Sequence, residues 1–174
     1  MFSINNNPRK SKIRKVKLQV PGDVKYELHS TYNLLLKEGY QVLSVINIKN
    51  GGIIVYRHLY EDTNLYEENS IVLKIRLITN KGTVFPEPYL YAHYISARTT
   101  IELADIFIEE PIRNLGLGSI LIKHLLQIAV ESQVDKVTGL MVSDDSQHKA
   151  KQINFYMKHG FEISGNRLLW KQSA

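Results

Sequence analysis

Along the first third of the chain the apolar positions change period several times. Ile13, Val16, Leu18 and Val20 alternate imperfectly, which predicts a first strand stopped by Pro21-Gly22. From Val24 to Lys37 the leucines fall at helical spacing, with Asp23 placed to cap and Gly39 placed to end the helix. Residues 40–48 and 53–60 then read as two strands around the hairpin signal Asn50-Gly51. A β-α-β-β section over 12–60 is therefore expected, either part of one domain or a small appended unit. Residues 61–69 are acidic and polar and read as a surface loop. Strands at 71–79, 89–97 and 100–108, separated by a turn rich in Gly82, Pro86 and Pro88, predict an antiparallel meander.

After the meander the period lengthens. Leu117, Leu121, Leu125 and Ile128 line one helical face. A strand over 134–142 follows, and the intervening helix predicts that it runs parallel to the strand ending at Ile108. Ser143 to Ser146 offer caps for a helix over about 147–159 that Gly160 ends, and two short strands at 161–163 and 167–171 close the chain. The fold class is α/β with a mixed sheet.

Composition narrows the chemistry. The chain has 174 residues and no cysteine, which removes disulfides, thiolate metal sites, iron–sulfur clusters and cysteine nucleophiles. No apolar run approaches the roughly 20 residues that span a bilayer, so a cytoplasmic location without membrane contact is expected. The net charge of +5 is unevenly placed. Of 22 basic residues, six precede Asp23, which leaves 16 against 17 acidic ones. The basicity is thus an arm, with residues 1–11 as its flexible polar part, and it is either simply solvated or a contact for nucleic acid or an acidic partner.

The candidate chemistry lies at Arg113-Asn114-Leu115-Gly116-Leu117-Gly118-Ser119, between a strand and a helix. The first N–H groups of that helix and its dipole make an anion site, glycines admit a close ligand, and Arg113 adds charge. The alternative is turn chemistry alone. A P-loop is excluded because Gly118 is followed by Ser119 and not lysine, and a dinucleotide fingerprint fails because Leu121 stands where a small residue is needed.

Arg113, Gly116 and Gly118 match the Gln/Arg-x-x-Gly-x-Gly/Ala motif of the GNAT acyltransferase superfamily, and Asn154-Phe155-Tyr156-Met157-Lys158-His159-Gly160-Phe161 is similar to its Phe/Leu-Tyr-x-x-x-Gly-Phe segment. The chain resembles that superfamily over residues 71–171. The resemblance implies a core of about seven strands over 61–174, whose two central strands splay to admit acetyl-CoA or another acyl-CoA, with no metal. Its pyrophosphate would rest on residues 113–119 and its pantetheine arm against the backbone of Phe107 and Ile108, where backbone N–H groups are also the expected oxyanion donors. Tyr156 would be the general acid, protonating the departing thiolate. Asp105 is the first candidate for the base, with Glu102, His93 and Tyr94 behind it. Lys149 and Gln152 stand where many members carry Asn and Ala, so Lys149, with Ser143 and Asn154, is assigned to cofactor contact. The implied reaction is N-acetylation of a primary amine, carried by a small molecule or a protein, through direct attack. The alternative is a non-catalytic module contacting a protein or nucleic acid. A second copy of the chain is a further candidate partner. The tyrosines at 26, 32, 40, 56, 89, 91 and 94 are candidates for the acceptor pocket or for the core.

Overall fold

The computed structural model of the protein describes residues 13–58, 69–142 and 146–172. The elements in order are β1 (Arg14–Val16), α1 (Val24–Lys37), β2 (Tyr40–Ile48), β3 (Gly51–His58), β4 (Ser70–Thr79), β5 (Gly82–Phe85), β6 (Tyr89–Ile95), β7 (Thr100–Phe107), a 3-10 turn Glu110–Ile112, α2 (Leu117–Glu131), β8 (Lys136–Leu140), α3 (Ser146–Met157), β9 (Glu162–Ser164) and β10 (Arg167–Lys171). The expected arm over 1–11 lies outside the described residues, as do Ser143 and all of the 61–69 loop except Asn69.

Local chemistry accounts for several boundaries. Asp23 caps α1 by accepting the Tyr26 N–H at 2.9 Å, and Gly39 at φ 81° takes the left-handed position just past its end. Among the described residues the strands form one ten-stranded sheet, with the path β1-β5-β4-β6-β7-β8-β10-β9 and the β2–β3 hairpin joined through β3 to β4. The expected meander is present as β4, β6 and β7, all antiparallel, and β8 runs parallel to β7.

Two departures from expectation have plain causes. Residues 82–85, read as a turn, form β5, pairing Thr83 with Ile78 on one edge and with Val16 on the other. Three residues between Gly82 and Pro86 are too few to display a period. The strand expected over 89–97 stops at Ile95, because Ser96, Ala97 and Arg98 all turn to positive φ, 52° to 67°.

The sheet has two unequal faces. Leu73, Ile75, Leu90, Ala92, Ile101 and Val137 point to one face and are completely buried with Leu121 and Leu125 of α2. Burying one such aliphatic side chain stabilises the fold by about 1.5–3 kcal/mol. We call this the helix face. The opposite face is covered by α1 only at the β2–β3–β4 end, where Leu28 and Leu35 meet Ile54, Tyr56 and Ile78. Over β6 and β7 it is covered by no helix among the described residues, and we call it the open face.

Candidate active site

Strand β7 leaves β8 partway along. The two pair through Thr100–Leu103 and Lys136–Gly139; β8 then ends at Leu140 while β7 continues to Phe107. The β7 edge beyond Leu103 therefore lacks a strand on the β8 side. A gap of about 190 Å³ opens there, lined by Ala104, Asp105, Met141, Val142, Gln152 and Tyr156, among others.

A bulge decides which side chains face which way. Tyr91 pairs with Asp105 and Ala92 with Leu103, so Ala104 is the extra residue in β7. Without it, alternation would turn Asp105 to the helix face along with Ile101 and Leu103. With it, Asp105 and Phe107 share the open face with Tyr89 and Tyr91. Tyr89 donates its hydroxyl hydrogen to Asp105 Oδ2 at 3.1 Å and stacks on Phe107 with ring centroids 5.3 Å apart. Burial, and then that bond to a carboxylate, raises the Tyr89 phenol above its ordinary value.

Tyr156 reaches the gap from α3 on the helix side. Its ring packs edge-on against Phe155 and Phe161, with centroids 5.0 and 5.6 Å away. Burial is the main cause, and the Asp105 charge a further one, of a phenol pushed up to about 12. Such a group holds its proton throughout the neutral range, which is the state a hydrogen donor needs. The gap thus has a protonated phenol on one side and a carboxylate on the other.

At the far end of β7 the 3-10 turn leads into the glycine segment. Gly116 is the N-cap of α2 at φ 78°, and a Cβ built there would meet nothing within 4 Å. Ile120 is bonded back to the Gly116 carbonyl at 3.1 Å, so the N–H groups of Leu117, Gly118 and Ser119 are the first-turn donors with no partner inside the helix. Open space at Gly116 beside these donors fits an anionic phosphate group.

The segment's other members differ in role. Gly118 is buried, and a Cβ on it would come within 3.2–3.4 Å of the Phe155 ring and Ile108 Cδ1. Its smallness serves helix packing, whereas that of Gly116 serves the turn and the open space. Leu117 is buried and offers only its backbone; Asn114 (φ 65°) and Leu115 are exposed. The exposed Arg113 folds back, its Nε donating to the Ile108 carbonyl at 2.9 Å, so a ligand bonding that carbonyl would have to displace it. Ser119 pairs with His159 Nε2 at 3.1 Å, tying the first turn of α2 to the end of α3.

Sequence reasoning gave His159 no role. Only its neighbours mark it, since it lies between Tyr156 and Gly160. Burial first, then Lys158 and Lys123, hold its imidazole below the ordinary value. The remaining assignments scatter. Lys149 and Asn154 lie on α3, half-buried and exposed respectively. Gln152 donates to the Val142 carbonyl at 3.2 Å while its Oε1 is buried without a partner. His93 Nε2 lies 3.2 Å from Glu102 Oε2 on the open face, whereas Tyr94 pairs with Ser132 at 3.0 Å, beyond the far end of α2. His124 donates Nδ1–H to the Ile120 carbonyl at 2.8 Å and accepts from Ser44, which makes it a brace between α2 and β2.

Comparison with known proteins bears on the fold. Residues 76–161 match the model of the acetyltransferase (GNAT) family. Over them the chain is similar to that family, and its mixed sheet with flanking helices is the GNAT fold. A GNAT family acetyltransferase from Elizabethkingia anophelis, solved with acetyl-CoA bound, superposes with a TM-score of 0.53 at 14% identity, covering 72% of this chain and 100% of that one. The PaiA N-acetyltransferase of Thermoplasma acidophilum, in complex with coenzyme A, gives 0.45 at 14% identity over 60% and 62%. The uncharacterised protein YocC of Bacillus subtilis (strain 168) is 42% identical over 50 residues, 29% of this chain. That match spans 30% of YocC's own length. Among the described residues no helix is long and apolar enough to cross a membrane.

Proposed function

We propose that the protein transfers an acetyl group from acetyl-CoA to a primary amine, through direct attack and without a covalent enzyme intermediate. The observation that carries this reading is the gap between β7 and β8, with Tyr156 on its helix side and Asp105 on its open side. Acetyl-CoA supplies the thioester. The outward N–H groups at the start of α2, with Arg113 released from Ile108, hold its phosphates. The unpaired edge of β7 near Phe107 and Ile108 receives its extended arm as an added strand would be received.

The amine approaches from the open face. Its nitrogen forms a bond to the thioester carbonyl carbon, the C–S bond breaks, and the electron pair leaves on sulfur. Tyr156 donates its hydroxyl proton to that sulfur. The ammonium proton goes to Asp105, directly or through water. Backbone N–H groups near Phe107 face the oxygen that becomes charged.

The test is Tyr156→Phe. Turnover with an accepted amine should fall about 100-fold, in the range for loss of a general acid, while acetyl-CoA affinity by calorimetry stays within about twofold. Equal turnover in the two proteins removes Tyr156 from the mechanism, and absence of acetyl-CoA binding at submillimolar concentration removes the cofactor.

A further inference from the structure

The open face carries a second cleft, and its chemistry concerns the acceptor. It is about 410 Å³ in size and is walled by Arg14, Lys74, Phe85, Glu87, Tyr89 and Phe107. Two of these residues already belong to the site above, because Tyr89 bonds Asp105 and stacks on Phe107. The cleft shares no lining residue with the gap between β7 and β8, but Tyr89 in its wall is bonded to Asp105, which lines that gap.

Its charges are unbalanced. Glu87 is fully engaged, accepting the Tyr56 hydroxyl at 2.6 Å on Oε2 and pairing with Arg76 through Oε1. Its negative charge is thereby compensated before anything enters the cleft. Lys74 is half-buried and has no hydrogen bond or ion pair among the described residues. Arg14 lies with its guanidinium 5.5 Å from the centre of the Phe85 ring, and has no carboxylate partner among the described residues. Two cations without counter-charge among the described residues thus share a cleft with a stacked aromatic pair, and a half-buried ammonium gains from an anion that displaces its remaining water.

Registration across the sheet fixes the spacing. Lys74 pairs with Tyr89, and Tyr89 with Phe107, so the three stand in one row; Asp105 is two residues back along β7. Two strand spacings and two residue rises put the Lys74 and Asp105 backbones about 12 Å apart. An acceptor bridging them has its amine and its anion separated by several bonds.

We infer that the cleft holds the anionic end of the acceptor, so that the amine substrate is one bearing a carboxylate or phosphate some distance from its nitrogen. Lys74 and Arg14 take the anion, the Tyr89–Phe107 pair supports the spacer, and the amine is delivered at Asp105. This assignment rests on the acyl-transfer reading, but its central observation does not require turnover.

The experiment compares 6-aminohexanoate with its neutral amide, which differs from it in charge and hardly in shape. Binding to the CoA-saturated protein is read by ligand-observed NMR, and acetylation by release of CoA thiol. The acid should bind at least tenfold tighter than the amide and show the correspondingly lower KM. Lys74→Ala should lower the preference and the double variant Lys74→Ala with Arg14→Ala should abolish it, Lys74→Arg should keep most of it, and Lys81→Ala in the exposed β4–β5 turn should leave it unchanged. A 2-aminoethyl phosphate arm separates phosphate from carboxylate. Equal or weaker binding of the acid overturns the inference, as does a preference that survives undiminished in the double variant Lys74→Ala with Arg14→Ala. Failure of acetyl-CoA to bind instead overturns the acyl-transfer reading, and the charge preference in direct binding is still scored.

Discussion

Strands β6 and β7 contribute to both faces of the sheet, and the two faces they build have little in common. On the helix face Leu90, Ala92, Ile101 and Leu103 are buried to 5% exposure or less, packed with each other and with α2. On the open face Tyr89, Tyr91, His93, Glu102 and Phe107 are half-buried, with His93 Nε2 against Glu102 Oε2 and Tyr89 bonded to the exposed Asp105. The same backbone thus presents a close-packed apolar layer on one side and a chemically equipped, partly wet layer on the other. Stability is concentrated where water is excluded, and the candidate chemistry where charge can be both solvated and directed.

The hardest test of that division is a pair of substitutions. Leu121→Ala removes a completely buried side chain from the helix face and should cost about 2–5 kcal/mol, read as a lower midpoint in denaturant. Asp105→Asn, on the open face, should shift that midpoint little and lower turnover about tenfold or more. If Asp105→Asn destabilises as much as Leu121→Ala, the division is wrong.

The two glycines allow a finer version. Gly116→Ala forces a side chain into φ 78° and should cost about 1 kcal/mol or more with no steric clash, because the space there is open. Gly118→Ala keeps a helical backbone but pushes on the Phe155 ring, so its cost depends on whether that ring gives way. Weakened acetyl-CoA binding is expected of Gly116→Ala by calorimetry. A Phe155→Leu background should relieve Gly118→Ala and leave Gly116→Ala unaffected, and the same relief for both would merge their roles.

The smallest expected effect concerns His159. Its folded-state value lies below 6.5, so its contribution to stability is present above that pH and is lost as the pH falls through the lowered value. Between pH 7.5 and 5 the protein should lose more stability than His159→Gln does. Parallel losses would show that the Ser119–His159 contact is insensitive to protonation.

The pH dependence of turnover sharpens the reading of Tyr156. With its phenol pushed up to about 12, no descending limb assignable to this group should appear between pH 7 and 10. A limb in that interval that vanishes in Tyr156→Phe would place the phenol in a wetter setting than the gap provides.

Much of this arrangement was legible in the sequence, for reasons tied to particular residues. Period alone marks α2, because one helical face must be apolar to lie on the sheet. Gly39 and Asp23 announce the ends of α1 through their own backbone preferences. Gly116 and Tyr156 are singled out by motif spacing, although about 40 residues separate them. Long-range geometry was not legible. Spacing showed neither that Gly118 packs against the Phe155 ring nor that Arg113 donates to the Ile108 carbonyl.

What the sequence determined by itself is therefore local: the elements, their caps, and which positions along them are apolar. These follow from backbone preferences and from the period of each element. Tertiary structure decided the rest. The bulge at Ala104 turned Asp105 to the open face, the early end of β8 opened the gap, and strand registration set Lys74, Tyr89 and Phe107 in one row. No residue carries these features alone, because each is fixed by the pairing of segments distant along the chain.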